Sequence, residues 1–219
     1  MGKMRDIFTS LHKATQRDCL GRMMDSKVEC MEIAKRFDKD FWDGDRRYGY
    51  GGYAYDGRQK VIADALISTY NLKENASILD IGCGKGFLLY ELKKLLPKAR
   101  IVGLDISTYA ITHAKEEVKE NLFVYDAKDP LPFGDGEFDL VLSLGTLHNL
   151  PIFHLKTALQ EMQRVGKEKF VMVEGYRNNQ ELFNLECWAL TCESFFRPDE
   201  WIWLFGEFGY SGDYEFIYF

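Results

Sequence analysis

The chain has 219 residues, with 28 Lys and Arg against 34 Asp and Glu, a net charge of −6, and 46% hydrophobic and 15% aromatic residues. This is the length of one ordinary domain with enough apolar content for a full core, which excludes wholesale disorder. No apolar run approaches the ~18 residues of a membrane span, and residues 1–20 contain no uninterrupted apolar signal segment. The acidic balance speaks against a phosphate-backbone partner, so the expectation is a cytoplasmic protein with no membrane and no nucleic-acid partner. Cys19, Cys30, Cys83, Cys187 and Cys192 match neither a disulfide framework nor zinc spacing. They read as reduced thiols, and no metal site is expected.

In chain order, residues 1–40 carry Ile7, Leu11, Leu20, Met23, Met24, Val28, Met31, Ile33 and Phe37 at spacings close to a helical stripe. A Gly- and Tyr-rich stretch, 41–58, follows. Its glycines forbid a regular element, while its aromatic and charged residues are too patterned for a linker. We read 1–57 as N-terminal helices plus a lid segment, and 58–219 as the main domain. From Gln59 onward helix and strand alternate: a helix to Tyr70, a strand at 77–81, a helix from Phe87 to Leu96 stopped by Pro97, and a strand at 100–105. Ser107 is placed to cap a helix reaching Lys119. Strands follow at 122–125 and 138–144, then a helix from Phe153 to Val165 and a strand at 169–174. Two helices, 180–195 and 199–208, precede a last strand at 214–219. Apolar strands each followed by a helix require a parallel sheet covered on both faces, hence a doubly wound, mostly parallel α/β fold.

In such a sheet, ligands lie beyond the carboxyl ends of the strands. The first strand runs into Gly82-Cys83-Gly84-Lys85-Gly86, where bare backbone can approach a ligand. Phe87 stands where a dinucleotide fingerprint needs its third glycine, and no P-loop Ser or Thr follows Lys85. Asp105 ends the second strand, placed to accept from both hydroxyls of a ribose or to cap the next helix together with Ser107. Asp126, after the third strand, is placed for an adenine amino group or for an ordinary turn.

Asp80-Ile81-Gly82-Cys83-Gly84-Lys85-Gly86, Gly103-Leu104-Asp105, Asp126-Ala127 and Leu131-Pro132-Phe133 with Phe138-Asp139-Leu140-Val141 together resemble the successive motifs of class I S-adenosylmethionine-dependent methyltransferases. The resemblance covers residues 58–175 and implies that family's Rossmann-like fold, with S-adenosyl-L-methionine as cofactor. It implies that Asp80, Gly82 and Gly84 line the methionine part, with Cys83, Gly86 and Leu144 beside them. Asp105 would hold the ribose, and Ile106, Asp126 and Ala127 would flank the adenine. The Trp42-Asp43-Gly44-Asp45-Arg46-Arg47 start and the closing residues are similar to methyltransferases of bacterial surface-polysaccharide clusters. One feature departs from the family, whose sheet usually finishes with two antiparallel strands where only one is legible here. Either the sheet is a strand short, or a strand from another segment of the chain or from a second subunit of a homodimer covers the edge.

Methyl transfer to a hydroxyl needs a base. His148, after the fourth strand, is the first candidate by position and pKa class, and Glu174, ending the fifth strand, is the second. The alternative for His148 is a structural histidine. His154, His12 and His113 carry less signal. Tyr48, Tyr53 and Arg58 of the lid, with Tyr176, are the expected acceptor contacts, since aromatic faces pack on sugar rings. Trp188, Phe195, Phe196, Trp201, Trp203 and Phe205 read as core or subunit interface. The leading reading is a methyltransferase acting on O or N of a small polar acceptor, with a sugar or sugar nucleotide as the first guess. The alternatives are a peptide or protein acceptor and a non-catalytic partner subunit. A nicotinamide oxidoreductase would need the glycine missing at 87.

Overall fold

In a computed structural model describing residues 2–13 and 15–219, six parallel strands form one sheet in the order β3-β2-β1-β4-β5-β6. Four short helices come first: α1 (Thr9–Lys13), α2 (Cys19–Met24), α3 (Lys27–Ala34) and α4 (Lys39–Asp43). Then follow α5 (Lys60–Tyr70), β1 (Ser77–Ile81), α6 (Phe87–Leu95), β2 (Arg100–Asp105), α7 (Thr108–Thr112), β3 (Leu122–Val124), β4 (Phe138–Leu144), α8 (Ile152–Val165), β5 (Gly166–Glu174), α9 (Asn179–Trp188), α10 (Pro198–Glu207) and β6 (Asp213–Ile217). The strand order reverses between β1 and β4, so the ends of β1, β2 and β4 open a crevice for a ligand.

Alternation along the strands separates two cores. Ile78, Ile101, Leu140, Leu142 and Phe170 face Ile62 and Leu66 of α5 and Leu89 and Leu92 of α6. Leu79, Val102, Val141 and Val171 face Leu155, Leu159 and Met162 of α8 and Trp201, Leu204 and Phe205 of α10. Burial on both faces is why these strands are apolar throughout.

Several expectations are corrected. The region 1–40 does form several helices, but its first residues are not helical: residues 3–5 lie along β6. Met4 bridges Tyr214 in parallel, Arg5 N–H donates to Tyr214 O at 2.8 Å, and Tyr214 N–H donates to Lys3 O at 3.1 Å. The chain itself therefore covers the edge of β6, and the reason for inferring a homodimer falls away. The helix after Ser107 ends at Thr112 rather than Lys119. Past that point Ala114 and Val118 are the only apolar residues up to Lys119, and the chain turns so that Lys115 N–H bonds Lys85 O at 3.0 Å. The tail helix ends at Trp188 rather than 195. Thr191 Oγ1 bonds Asn149 Oδ1 at 2.8 Å, and the amides of Glu193 and Ser194 both donate to His148 O at 3.0 Å, which holds 191–194 out of a helix.

Candidate active site

Gly82 has φ +85°, and a Cβ there would fall 1.9 Å from Thr146 Oγ1, so only glycine lets β1 turn this close to the β4 end. Gly84 has its φ at +54° and faces the ring of Trp42, which a Cβ would meet at 3.0 Å. Asp105, 8% exposed, accepts from Gly84 N–H through Oδ2 and from Ser107 N–H through Oδ1, each at 2.8 Å. It therefore shapes both the loop and the start of α7, and each oxygen keeps a second lone pair for a ligand. Ser107 is the N-cap of α7, accepting from Ala110 N–H at 2.9 Å. Asp80 is buried with its Oδ1 unpartnered, and burial, then the nearby Asp105, pushes its pKa up to about 7.

Gly82, Cys83, Gly84, Asp105, Ile106, Asp126, Ala127 and Leu144 border one cleft at these strand ends. Ile106 is exposed there, and Asp126 is tied to Lys128 at 2.8 Å. Gly86 does not reach the cleft. It precedes α6 with φ +72°, and its open side faces Leu122.

Three aromatics roof the cleft: Trp42 and Tyr50, which the sequence did not single out for it, and Tyr53, expected as an acceptor contact. The indole of Trp42 stacks on Tyr50, centroids 5.3 Å apart, and donates to Ser107 Oγ at 2.8 Å. Lys85 clamps this roof, reaching both oxygens of Asp43 at 2.7 Å and Tyr53 O at 2.9 Å. Tyr109 Oη adds a bond to Asp43 at 2.9 Å. The segment expected to be a lid therefore lies down on the glycine loop.

A second cavity of about 500 Å³ adjoins the cleft and shares Gly82, Cys83, Tyr50, Tyr53 and Leu144 with it. Asp80, His148, Glu174 and Arg58 border it, as do Arg17, Arg22, Arg46 and Trp188. His148 is buried, and burial holds its pKa below the ordinary value. Its Nδ1 accepts from Glu174 N–H at 3.4 Å, and its Nε2 lies 3.5 Å from Glu174 Oε2. With Nδ1 as acceptor, the neutral ring carries its proton on Nε2, facing the carboxylate. Glu174, half-buried, keeps free lone pairs toward the cavity.

Two expected acceptor contacts are not brought to this cavity. Tyr48 packs against the Cys30, Ala34 and Leu190 cluster, because the turn Arg46–Tyr48 presents it to α3. Tyr176 lies past the end of β5, where the chain turns toward α9, near Arg197. Tyr53 and Arg58 do border it, Arg58 paired with Asp56. Among the tail aromatics, Trp201 and Phe205 are core, whereas Trp188 faces the cavity. Trp42 had a signal in its place at the head of the Gly/Tyr stretch, but Arg17, Arg22 and Trp188 had none, since packing of α2 on α9 brings them together.

The family described as Methyltransferase domain matches residues 72–208. An uncharacterised methyltransferase of Synechocystis sp. is 35% identical over 108 residues, 48% of this chain and 50% of its own length. The protein-lysine N-methyltransferase EFM4 of Saccharomyces cerevisiae is 31% identical over 109 residues, 46% of this chain and 48% of its own. The chain thus spans about half the length of these curated relatives. The YcgJ protein of Bacillus subtilis shares the fold, with a TM-score of 0.54 at 20% identity over 67% of this chain and 66% of that one. The family match over more than half the chain, the sheet order and the acidic strand ends agree: the chain belongs to the class I S-adenosylmethionine-dependent methyltransferase family.

Proposed function

We propose that the protein transfers a methyl group from S-adenosylmethionine to an oxygen or nitrogen of a small polar acceptor, a sugar or sugar nucleotide being the first class to test. The observation that carries this reading is the acceptor-sized cavity that adjoins the cofactor cleft and holds Glu174 and His148 on its wall. The residues at these strand ends fit the cofactor: in the cleft Asp105 offers acceptors to its ribose, and Ile106 and Ala127 offer apolar surface to its adenine, while Asp80, on the adjoining cavity that shares Gly82 with the cleft, offers an unpartnered buried carboxylate oxygen to its ammonium. When bound, S-adenosylmethionine supplies an electrophilic methyl on a sulfonium and departs as a neutral thioether. The protein's part is to hold the acceptor in line and to exclude water beneath the aromatic roof. For a hydroxyl acceptor, Glu174 takes the proton released as the new C–O bond forms. His148 acts as its positioning residue through Nε2–H.

A protein acceptor is the second reading, supported by the likeness to the yeast protein-lysine enzyme. It asks for a side chain to reach past α1, α2 and the 188–191 segment, which wall the cavity. Calorimetric titration with S-adenosylmethionine, its demethylated product and NAD, on the wild type and Asp105→Ala, tests the cofactor. The first two should bind, with a loss of about 10- to 100-fold in the variant, the worth of hydrogen bonds to a charged group. Binding of NAD alone would overturn the reading. Incorporation of labelled methyl into a sugar nucleotide, set against a protein extract, then separates the acceptor classes.

A further inference from the structure

Three guanidinium groups surround the indole of Trp188. That of Arg22 lies 3.9 Å from a ring centroid, that of Arg46 5.0 Å and that of Arg17 5.5 Å. All four residues border the acceptor cavity. Among the described residues none of these three arginines has a carboxylate partner, whereas Arg5, Arg47, Arg58, Arg100, Arg164 and Arg177 each have one.

Their contacts are neutral. Arg17 donates to His12 O at 3.1 Å and Thr15 O at 3.0 Å. Its Nη2 also lies 3.1 Å from His12 Nδ1, and its Nε is buried with no partner. Arg22 donates to Trp188 O at 3.4 Å, Arg46 O at 2.5 Å and Gly49 O at 3.2 Å. Arg46 donates to the same Gly49 carbonyl at 2.5 Å.

A guanidinium does not shed its proton in a protein, so this wall carries three like charges in close company. Burial, then Arg46, pulls the pKa of Arg22 down to about 10, and burial lowers those of Arg17 and Arg46. Facing them are Glu174, whose field reaches Arg17, and Asp80, whose carboxyl is raised to near neutrality. Three cations against at most two acids leave a net positive wall, and that charge is best satisfied by a ligand that brings its own.

We propose that Arg17, Arg22 and Arg46 form an anion subsite of the acceptor cavity, built for a phosphate or diphosphate group on the methyl acceptor. The inference rests on the methyl-transfer reading for naming the acceptor, but the subsite itself stands on the cluster. A carboxylate fills one guanidinium fork, whereas a phosphate offers at least three acceptor oxygens and a second negative charge, matching three forks. The indole of Trp188 gives the three guanidiniums a shared aromatic surface at the cavity wall.

The test is calorimetry on the full chain with inorganic pyrophosphate as probe, at low salt in a phosphate-free buffer. Malonate is titrated in parallel. The wild type should bind pyrophosphate more tightly than malonate. Arg46→Gln, which removes a guanidinium with a single carbonyl hydrogen bond, should weaken pyrophosphate binding about tenfold, as should Arg17→Gln. Arg46→Lys should fall in between, because it restores charge without the fork. S-adenosylmethionine binding should be unchanged in each variant, since none of these arginines borders the cofactor cleft. No pyrophosphate binding, or binding undiminished in both Gln variants, overturns the subsite. Tighter binding of malonate overturns the phosphate assignment. A chain that binds pyrophosphate through these arginines but does not bind S-adenosylmethionine keeps the subsite and sinks the methyl-transfer reading instead.

Discussion

Asp80 lies one residue before the end of β1, in a place where a carboxylate is costly: 4% exposed, one oxygen unpartnered, and Asp105 close by. Its pKa is about 7 in the folded protein against 3.8 as the reference, so between these values the unfolded chain gives up a proton that the folded one keeps. Stability therefore falls as pH rises from about 4 to 7, and above 7 the full cost remains. Asp80→Asn is expected to raise the melting temperature at pH 8, by about 2–4 °C for each kcal/mol relieved, and to leave it nearly unchanged near pH 4. The same variant should lose most of its affinity for S-adenosylmethionine, because the cofactor's ammonium is the partner that makes an ionised Asp80 favourable. In the wild type, cofactor affinity should strengthen from pH 6 to 8 as the carboxylate is freed of its proton. A pH-independent affinity would show that Asp80 does not meet the ammonium. Thermal melts and titrations at three pH values decide both points.

At the scale of elements, the roof over the cofactor cleft hangs on a few contacts. Lys85, with a side chain 7% exposed, joins the glycine loop to Asp43 of α4 and to Tyr53. Asp43 also accepts from Tyr109 Oη and Tyr53 N–H, so Lys85→Met removes the clamp while leaving Asp43 with partners and the aliphatic stem with a similar volume. Local opening should become easier by about 1–3 kcal/mol, the worth of charge-assisted hydrogen bonds. Trypsin should then cut at Arg46, Arg47 and Arg58 at least about fivefold faster. Cofactor should slow cleavage of the wild type and protect the variant less. Equal cleavage of both proteins would mean that the segment is held by its aromatic stack rather than by Lys85.

These same elements show what the sequence made legible. The glycine loop, Asp80, Asp105 and Ile106 were readable because strand, turn and acid are adjacent in the chain and the switch-point rule supplies the third dimension. The arginine cluster was not, because Arg17, Arg22, Arg46 and Trp188 come from three separate segments and meet through packing. The α7 and α9 helices were read too long because helix periodicity cannot see side-chain bonds such as Thr191 to Asn149, which hold the chain out of the helix. Tyr48 and Tyr176 show the same limit from the other side: composition marked them, and local backbone turned them elsewhere.

At the scale of the molecule, the N-terminal residues tie the sheet to the acceptor cavity. Glu215 on β6, 1% exposed, accepts from the amides of Ile7 at 2.8 Å, Phe8 at 2.9 Å and Thr9 at 2.7 Å, and from Thr9 Oγ1 at 2.7 Å. One carboxylate thus gathers the first orphan amides around α1 and sets the chain against the edge of β6. Arg5 adds an ion pair to Asp213 at 2.6 Å. Because Phe8, Leu11 and His12 then border the acceptor cavity together with Ile217 and Phe219, edge closure and cavity wall are one construction. Glu215→Gln replaces an acceptor of four donors with a side chain that has one acceptor oxygen and an amide facing those donors, so it should destabilise the fold by about 2–4 kcal/mol. The released edge of β6 is an open template for pairing. Light scattering should therefore find the wild type monomeric and the variant shifted to larger species. Pyrophosphate binding should weaken along with it, while S-adenosylmethionine binding persists, because the cofactor cleft is built from the ends of β1, β2 and β4 beneath the aromatic roof. A wild type that is already dimeric, or a variant that loses cofactor and anion binding together, would show that the two ends of the site are not separable in this way.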